Sequence, residues 1–187
     1  MADGIVARRI GLVTGANRGI GLAICRQLAS NGVTVLLGAR DAAAGEQAAA
    51  ALRAEGLDIQ SIRIDTADPQ SFESARDFLA HKFGHLDILV NNIGMGFDWG
   101  HTAADVPMRL LRETFEINFF SLVDLTQRLL PLIRLSHAGR IVNHSSAIGS
   151  LARRADQAAW SEGDWPLAYS ASKTALNAFT LHLACAL

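Results

Sequence analysis

Short aliphatic runs that are continuous, not alternating, recur along the chain at residues 10–13, 33–37, 59–64 and 86–90, and a longer amphipathic stretch follows each one. Successive side chains on a strand leave opposite faces, so an unbroken apolar run is a strand buried on both sides. Helix-length segments between such strands are the crossovers that parallel pairing needs, because a tight turn cannot connect two parallel strands. The pattern predicts an α/β fold: a doubly wound parallel β-sheet with helices on both faces.

The punctuation agrees. A helix over residues 20–29 stops near Asn31-Gly32, and Asp41 caps a second one that runs through Ala51 and Leu52 to Gly56. Asp68-Pro69 opens a third, closing at Gly84. A long helical region is expected from about residue 105 to 134, a fifth strand over 139–143, and a last helix from about Tyr169. No composition shift or repeat divides the sequence, so residues 1–187 read as one domain.

Composition narrows the partners. The chain has 17 basic and 18 acidic side chains, a formal charge of −1, which provides no basic surface for nucleic acid. Mean hydropathy is +0.20, yet charges interrupt every apolar run before it reaches spanning length, so no membrane partner is expected. Met1-Ala2-Asp3-Gly4 has no signal-peptide pattern, which makes cytoplasm the expected address. Cys25 and Cys185 are expected as buried reduced thiols. The six histidines form no ligand pattern, His81 and His85 being separated by Gly84, so no metal is implied.

Thr14-Gly15-Ala16-Asn17-Arg18-Gly19-Ile20-Gly21 lies where the first strand becomes a helix. Gly15 permits the tight turn, Gly19 a close backbone approach by a ligand, and Gly21 close helix packing, so helix-start N–H groups face a pyrophosphate. In a βαβ series this is the Rossmann-like dinucleotide cradle; alone it is an ordinary Gly-rich turn. Its cofactor-binding candidates are Gly15, Asn17, Arg18, Gly19, Ile20 and Gly21. The second strand ends Gly38-Ala39-Arg40, with no acid to hold a ribose 2′-hydroxyl and with Arg40, helped by Arg18, available to a 2′-phosphate. NADP(H) is therefore expected over NAD(H), the alternative being that Arg40 is a solvated charge beside the cap Asp41. Asp65, followed by Thr66, sits past the third strand, where it either accepts from the adenine amino group or forms an Asx turn towards Pro69.

Tyr169 and Lys173, four residues apart, share one helical face. A fixed cation there favours phenolate, making Tyr169, the only tyrosine, a proton donor to a carbonyl oxygen that receives hydride at carbon. Ser145-Ser146-Ala147-Ile148-Gly149 ends the fifth strand. Taken in order, Thr14-Gly15-x-x-x-Gly19-x-Gly21, Asn91-Asn92-Ile93-Gly94, Asn118, Ser146 and Tyr169-x-x-x-Lys173 resemble the short-chain dehydrogenase/reductase family over essentially the whole length. The glycine spacing is similar to the single-domain type. Gly38-Ala39-Arg40-Asp41 and the lengthened segment before Tyr169 resemble NADPH-dependent carbonyl reductases.

That resemblance implies a reversible reduction of a ketone or aldehyde. Tyr169 would be the general acid, Lys173 would lower its pKa and bind the nicotinamide ribose, Ser146 would hold the substrate oxygen, and Asn118 would fix a proton-return water. Asn91 and Gly94 would edge the cofactor site. Ile93 stands where the family usually has alanine, either narrowing the pocket or repacking. Met95, Phe97, Trp99, Leu151, Trp160 and Trp165 flank the reactive residues in sequence and suit an apolar small-molecule carbonyl or alcohol substrate; the other reading is that they pack their loops. Family members continue past the tyrosine helix, so the sheet is expected to be truncated after the catalytic helix, the sequence being part of a longer reductase; the alternative, a chain ending at Leu187, would leave an apolar edge beside the fifth strand. Homodimers or homotetramers packed through the helix over 109–130 and the tyrosine helix are also implied, the alternative being a monomer favoured by the lengthened loop. The rival from another class is a non-catalytic NADP(H)-binding module or sensor subunit. No Gly-x-Ser-x-Gly elbow supports a serine hydrolase.

Overall fold

The computed structural model describes residues 8–155 and 166–187, so Met1-Ala2-Asp3-Gly4, Trp160 and Trp165 lie outside the described residues. Two compact units are present: Met1–Asn92 with Gln127–Val142, and Ile93–Thr126 with Asn143–Leu187.

The first unit is built on strands β1 (Ile10–Val13), β2 (Thr34–Ala39), β3 (Ile59–Arg63), β4 (Ile88–Asn91) and β5 (Arg140–Asn143), in the spatial order β3-β2-β1-β4-β5. β1 pairs in parallel with β2 and β4, and Val13 lies opposite both Leu37 and Val90. Neighbouring residues Leu12 and Val13, and Leu36 and Leu37, are all 0 % exposed, so both faces of the central strands are covered as the unbroken apolar runs require. One of the two layers is a cluster of Val13, Val35, Leu37, Cys25, Ala49 and Leu52 with their neighbours. Each buried valine or leucine there contributes about 1.5–3 kcal/mol, whereas an exposed ion pair such as Arg26–Glu55 is screened by water and adds little. The sheet core, not surface charge, holds this unit together.

The crossovers start and stop where the sequence indicates. Helix α1 (Gly19–Ser30) leads to Gly32, whose φ of 76° turns the chain back into β2. Asp41 caps α2 (Ala42–Ala54) by accepting from the Ala44 N–H at 3.0 Å. Asp68 accepts from the Gln70 N–H at 3.2 Å, with Pro69 opening α3 (Pro69–Lys82). The strand order reverses between β1 and β4, the position where open α/β sheets leave a crevice at the carboxyl ends of their strands.

At the opposite strand ends, Asp87 joins three segments. Its Oδ2 accepts from the Ile10 N–H at 2.7 Å and lies 3.1 Å from His85 Nε2, while its Oδ1 accepts from the Ser136 hydroxyl at 2.5 Å. The Asp87 carbonyl accepts from the Arg140 N–H at 2.7 Å, so the residue ties β1, β4 and the start of β5.

The second unit is helical. Helix α4 (Met108–Phe115) passes through a π-helical turn (Glu116–Phe120) into α5 (Ser121–Arg134), whose last part belongs to the first unit. A 3-10 turn (Ala147–Gly149), the short α6 (Leu151–Ala155) and α7 (Leu167–Ala186) complete it, with α7 packed on α4, the π turn and the 3-10 turn. The helix expected from residue 105 begins at Met108 instead. Asp105 takes part in a turn, accepting from the Thr102 N–H and hydroxyl at 2.6 Å, and Pro107 stands extended before the first helical residue. Pro166 does the same at α7, which starts at Leu167, two residues earlier than expected. No helix among the described residues is long and apolar enough to cross a membrane. Cys25 is buried, and desolvation pushes its thiol up to about 12; Cys185, expected to be buried, is exposed on α7.

Replacing Asp87 with alanine strips an acceptor from the Ile10 N–H and the Ser136 hydroxyl together. The expected loss is about 2 kcal/mol of unfolding free energy, read by urea titration with an unchanged m-value.

Candidate active site

The turn after β1 belongs to the first unit. The Thr14 N–H donates to the Val90 carbonyl at 3.0 Å, and Thr14 Oγ1 accepts from the Asn92 N–H at 3.0 Å. The Asn92 side-chain amide then donates to the carbonyls of Thr14 (3.0 Å) and Gly15 (3.1 Å), fixing the turn through its oxygens. Gly15 and Gly19 have φ of 61° and 58°, a region that disfavours residues with a Cβ. A Cβ on Gly21 would lie 2.6 Å from the Gly15 oxygen and 2.7 Å from Asn92 Nδ2, so this helix start admits only glycine. Arg18, the N-cap residue, is extended and makes no side-chain cap, which leaves the N–H groups of Gly19, Ile20 and Gly21 without an intrahelical acceptor. Unpaired donors at the positive end of a helix fit a pyrophosphate.

The other first-unit candidates follow neighbouring strands. Arg18, Ile20 and Arg40 are exposed and Asn17 is half-buried. The Asp41 carboxylate is occupied by α2, and among the described residues neither Arg18 nor Arg40 has an ion-pair partner. Asp65 accepts from Arg63 Nη2 at 2.7 Å and from the Ala67 N–H at 3.1 Å, so the Asx turn forms and the carboxylate keeps acceptor capacity beyond it. Thr66 is half-buried beside it, and Asn91 is buried at the end of β4.

In the second unit, Tyr169 and Lys173 stand one turn apart on α7, with Lys173 Nζ 5.8 Å from the centroid of the tyrosine ring. Lys173 is 2 % exposed and donates to the His144 carbonyl at 2.8 Å. Loss of hydration disfavours its charged form and lowers its pKa from 10.5 to about 8. Two glycines leave it room. A Cβ on Gly94 would come within 3.1 Å of Lys173 Nζ, and one on Gly149 within 2.8 Å of Lys173 Cβ and 3.0 Å of its carbonyl carbon.

Asn118, 0 % exposed, sits inside the π turn. Its Oδ1 accepts from the Met95 N–H and its Nδ2 donates to the Met95 carbonyl, both at 2.8 Å, and Nδ2 donates again to Ser172 Oγ at 3.0 Å. The Ser172 hydroxyl donates to the Tyr169 carbonyl at 2.8 Å. Asn118 is thus joined through Ser172 to the helix of Tyr169 and Lys173. Ser146 opens the 3-10 turn, its Oγ accepting from the Ile148 N–H at 3.4 Å, and that turn closes at Gly149 against Lys173. Ser145 donates to the Lys173 carbonyl at 3.4 Å. Gly94 and Ile93 enter the segment carrying Met95, Phe97 and Trp99, all three of which, like Leu151, are substantially exposed.

The profile of the short chain dehydrogenase family matches residues 9–187. The chain belongs to the short chain dehydrogenase family. It is 38 % identical, over 83 % of its length, to a (+)-neomenthol dehydrogenase of Arabidopsis thaliana, and 43 % identical, over 76 % of its length, to carbonyl reductase (NADPH) 1 of Mus musculus. Those matches cover 58 % and 50 % of the two relatives, so the chain spans little more than half their length. Among solved structures it is similar to the RhlG/NADP active-site complex of Pseudomonas aeruginosa, with a TM-score of 0.81 and 34 % identity, covering 97 % of this chain and 68 % of that one.

Three contributors to the second-unit cluster of this short chain dehydrogenase escape a reading of the sequence: the His144 carbonyl, the Ser172 hydroxyl and Asp98. The first is a backbone group and leaves no residue-type signal. Ser172 lies within the Tyr-x-x-x-Lys spacing, where any residue is permitted, and Asp98 acts on a helix 70 residues away. The chain has only two lysines, Lys82 and Lys173. In a spectrum of ¹³C-labelled lysine, one signal is expected to titrate near pH 8, charged below and neutral above, and Lys173→Met should remove it.

Proposed function

We propose that the chain reduces a ketone or aldehyde from the class of small apolar carbonyl compounds, using NADPH in preference to NADH, and oxidises the alcohol by the reverse route. The observation that carries this reading is a buried ammonium, Lys173, one helical turn from the only tyrosine. An ammonium deprived of water favours a nearby phenolate, so Tyr169 can release its proton as charge develops on a substrate oxygen.

In reduction, the Tyr169 O–H bond breaks and its proton passes to the carbonyl oxygen, leaving phenolate beside Lys173. Ser146 donates a hydrogen bond to that oxygen and stabilises the developing alkoxide. Lys173 and Asn118 return a proton to Tyr169 through water. NADPH supplies the hydride when bound. Gly15, Asn17, Arg18, Gly19, Ile20 and Gly21 would hold its pyrophosphate, Arg40 with Arg18 its ribose phosphate, Asp65 and Thr66 its adenine end, and Asn91, Gly94, Tyr169 and Lys173 its nicotinamide end.

Support for NADPH comes from the exposed Arg18 and Arg40, from the cofactor in the mouse relative's name and from the NADP in the RhlG complex. Support for an apolar substrate comes from the exposed Met95, Phe97 and Trp99 and from the neomenthol named in the Arabidopsis relative. Met108 and Phe120, both more than half exposed, are apolar surface that a homodimer or homotetramer would cover.

Tyr169→Phe is expected to keep NADPH binding and lower kcat by about 10²–10⁴, followed by NADPH absorbance on a panel of apolar ketones. Unchanged turnover would refute the acid, and NADPH binding without turnover by the wild-type protein would leave the non-catalytic module. NADPH should bind more tightly than NADH in parallel titrations, and Arg40→Ala should erode that preference by about tenfold.

A further inference from the structure

Helix α7 carries Tyr169 in its first turn, yet the residue before that turn is Pro166, which has no side-chain acceptor for the exposed N–H groups of a helix start. The acceptor comes from 70 residues earlier. Asp98 Oδ2 accepts from the Ala168 N–H at 2.6 Å, and Asp98 is 0 % exposed. Its other oxygen, Oδ1, is buried and has no hydrogen-bond partner among the described residues. A buried carboxylate oxygen without a donor is unfavourable, so this arrangement stands out as one that local stability alone would not select.

The segment around Asp98 touches the same helix at successive positions. Gly94 lies against Lys173 Nζ, and Met95 is held from both its N–H and its carbonyl by Asn118. A Cβ on Gly96 would meet Tyr169 Cδ2 at 3.2 Å, so this residue lies directly on the tyrosine ring. The Trp99 ring then stands 6.1 Å from the Tyr169 ring, inclined at 35°. One end of the segment is fixed through Asn118. At the other, Asp98 is the polar tie to α7 seen among the described residues, at the residue immediately before Tyr169.

We propose that Asp98 is a positioning residue for Tyr169: its carboxylate replaces the missing local cap of α7 and sets where the tyrosine lies relative to Trp99 and Lys173. The proposal rests on Tyr169 being the proton donor for its kinetic consequence, but not for its structural one. The part that matters is the acceptor oxygen, which asparagine also presents. A displacement of about 1 Å in a catalytic group lowers turnover by as much as about 10²-fold. The residues proposed to hold the pyrophosphate have no part in this contact, so any loss of cofactor affinity is confined to the nicotinamide end and is smaller than the loss of turnover.

Because Tyr169 is the only tyrosine, ¹³C-tyrosine labelling gives a single set of ring signals, displaced by the ring current of Trp99. Asp98→Ala is expected to move those signals towards the free-tyrosine position and to lower kcat by about 10- to 100-fold, with a smaller change in NADPH affinity than in kcat. Asp98→Asn should restore both the ring signals and kcat. Wild-type ring signals and kcat in a folded Asp98→Ala protein would overturn the proposal, as would an Asp98→Asn protein with displaced signals, an outcome readable even if the alanine variant does not fold. Should the wild-type protein reduce no carbonyl compound, the proposed function fails, while the ring signals still decide the role of Asp98.

Discussion

A lysine ammonium out of contact with water is the constraint around which the second unit is organised. Its hydration must be replaced, and the His144 carbonyl at 2.8 Å supplies one replacement. Space must also be left for it, and that accounts for two residues with no side chain, Gly94 and Gly149, facing it. The same burial that is unfavourable for stability draws the Lys173 pKa down towards neutrality. Asn118, Ser172 and the 3-10 turn hold α7 in place around it.

The first unit follows from a different requirement. Parallel strands need long crossovers, and every crossover here returns the chain to the same end of the sheet. Gly15, Arg40, Asp65 and Asn91 therefore each follow or close the carboxyl end of a different strand, although the sequence scatters them over 77 positions. β1 and β4 are the pair between which strand order reverses, and Asn92 binds the glycine turn there by donating to its carbonyls. The turn's oxygens are occupied and its helix-start N–H groups have no intrahelical acceptor, an arrangement suited to an anion.

What could be read from the sequence was what depends on residue type at short range. Unbroken aliphatic runs, the caps Asp41 and Asp68 and the glycine stops are enough to place four strands and three helices, and the Tyr169–Lys173 spacing puts both on one helix face. What could not be read involves partners distant in sequence or backbone detail. Asp98 looks like an ordinary loop acid until α7 is seen to begin at a proline. The π turn is invisible because residues 108–134 keep a helical pattern through it; only the hydrogen bonds shift. Cys185 is flanked by apolar residues in sequence yet lies on an exposed part of α7, because neighbours along a chain are not neighbours in space. Asp65 shows a limit of another kind, since residue type allowed two readings and the coordinates show the Asx turn, which leaves the carboxylate able to accept further bonds.

The π turn bears on how such a chain tolerates change. It lodges an additional residue in one turn of helix, and that residue's register faces Asn118 towards Met95 and Ser172. Substitutions along α4 and α5 can be absorbed by repacking, but gaining or losing one residue there turns everything downstream by about 100° around the helix axis. Such a change ahead of Asn118 would point it away from both partners, and one after it would turn the rest of α5. Over the stretch from Met108 to Arg134, length is held more strictly than composition, and homologous sequences should align there without gaps even where few residues agree.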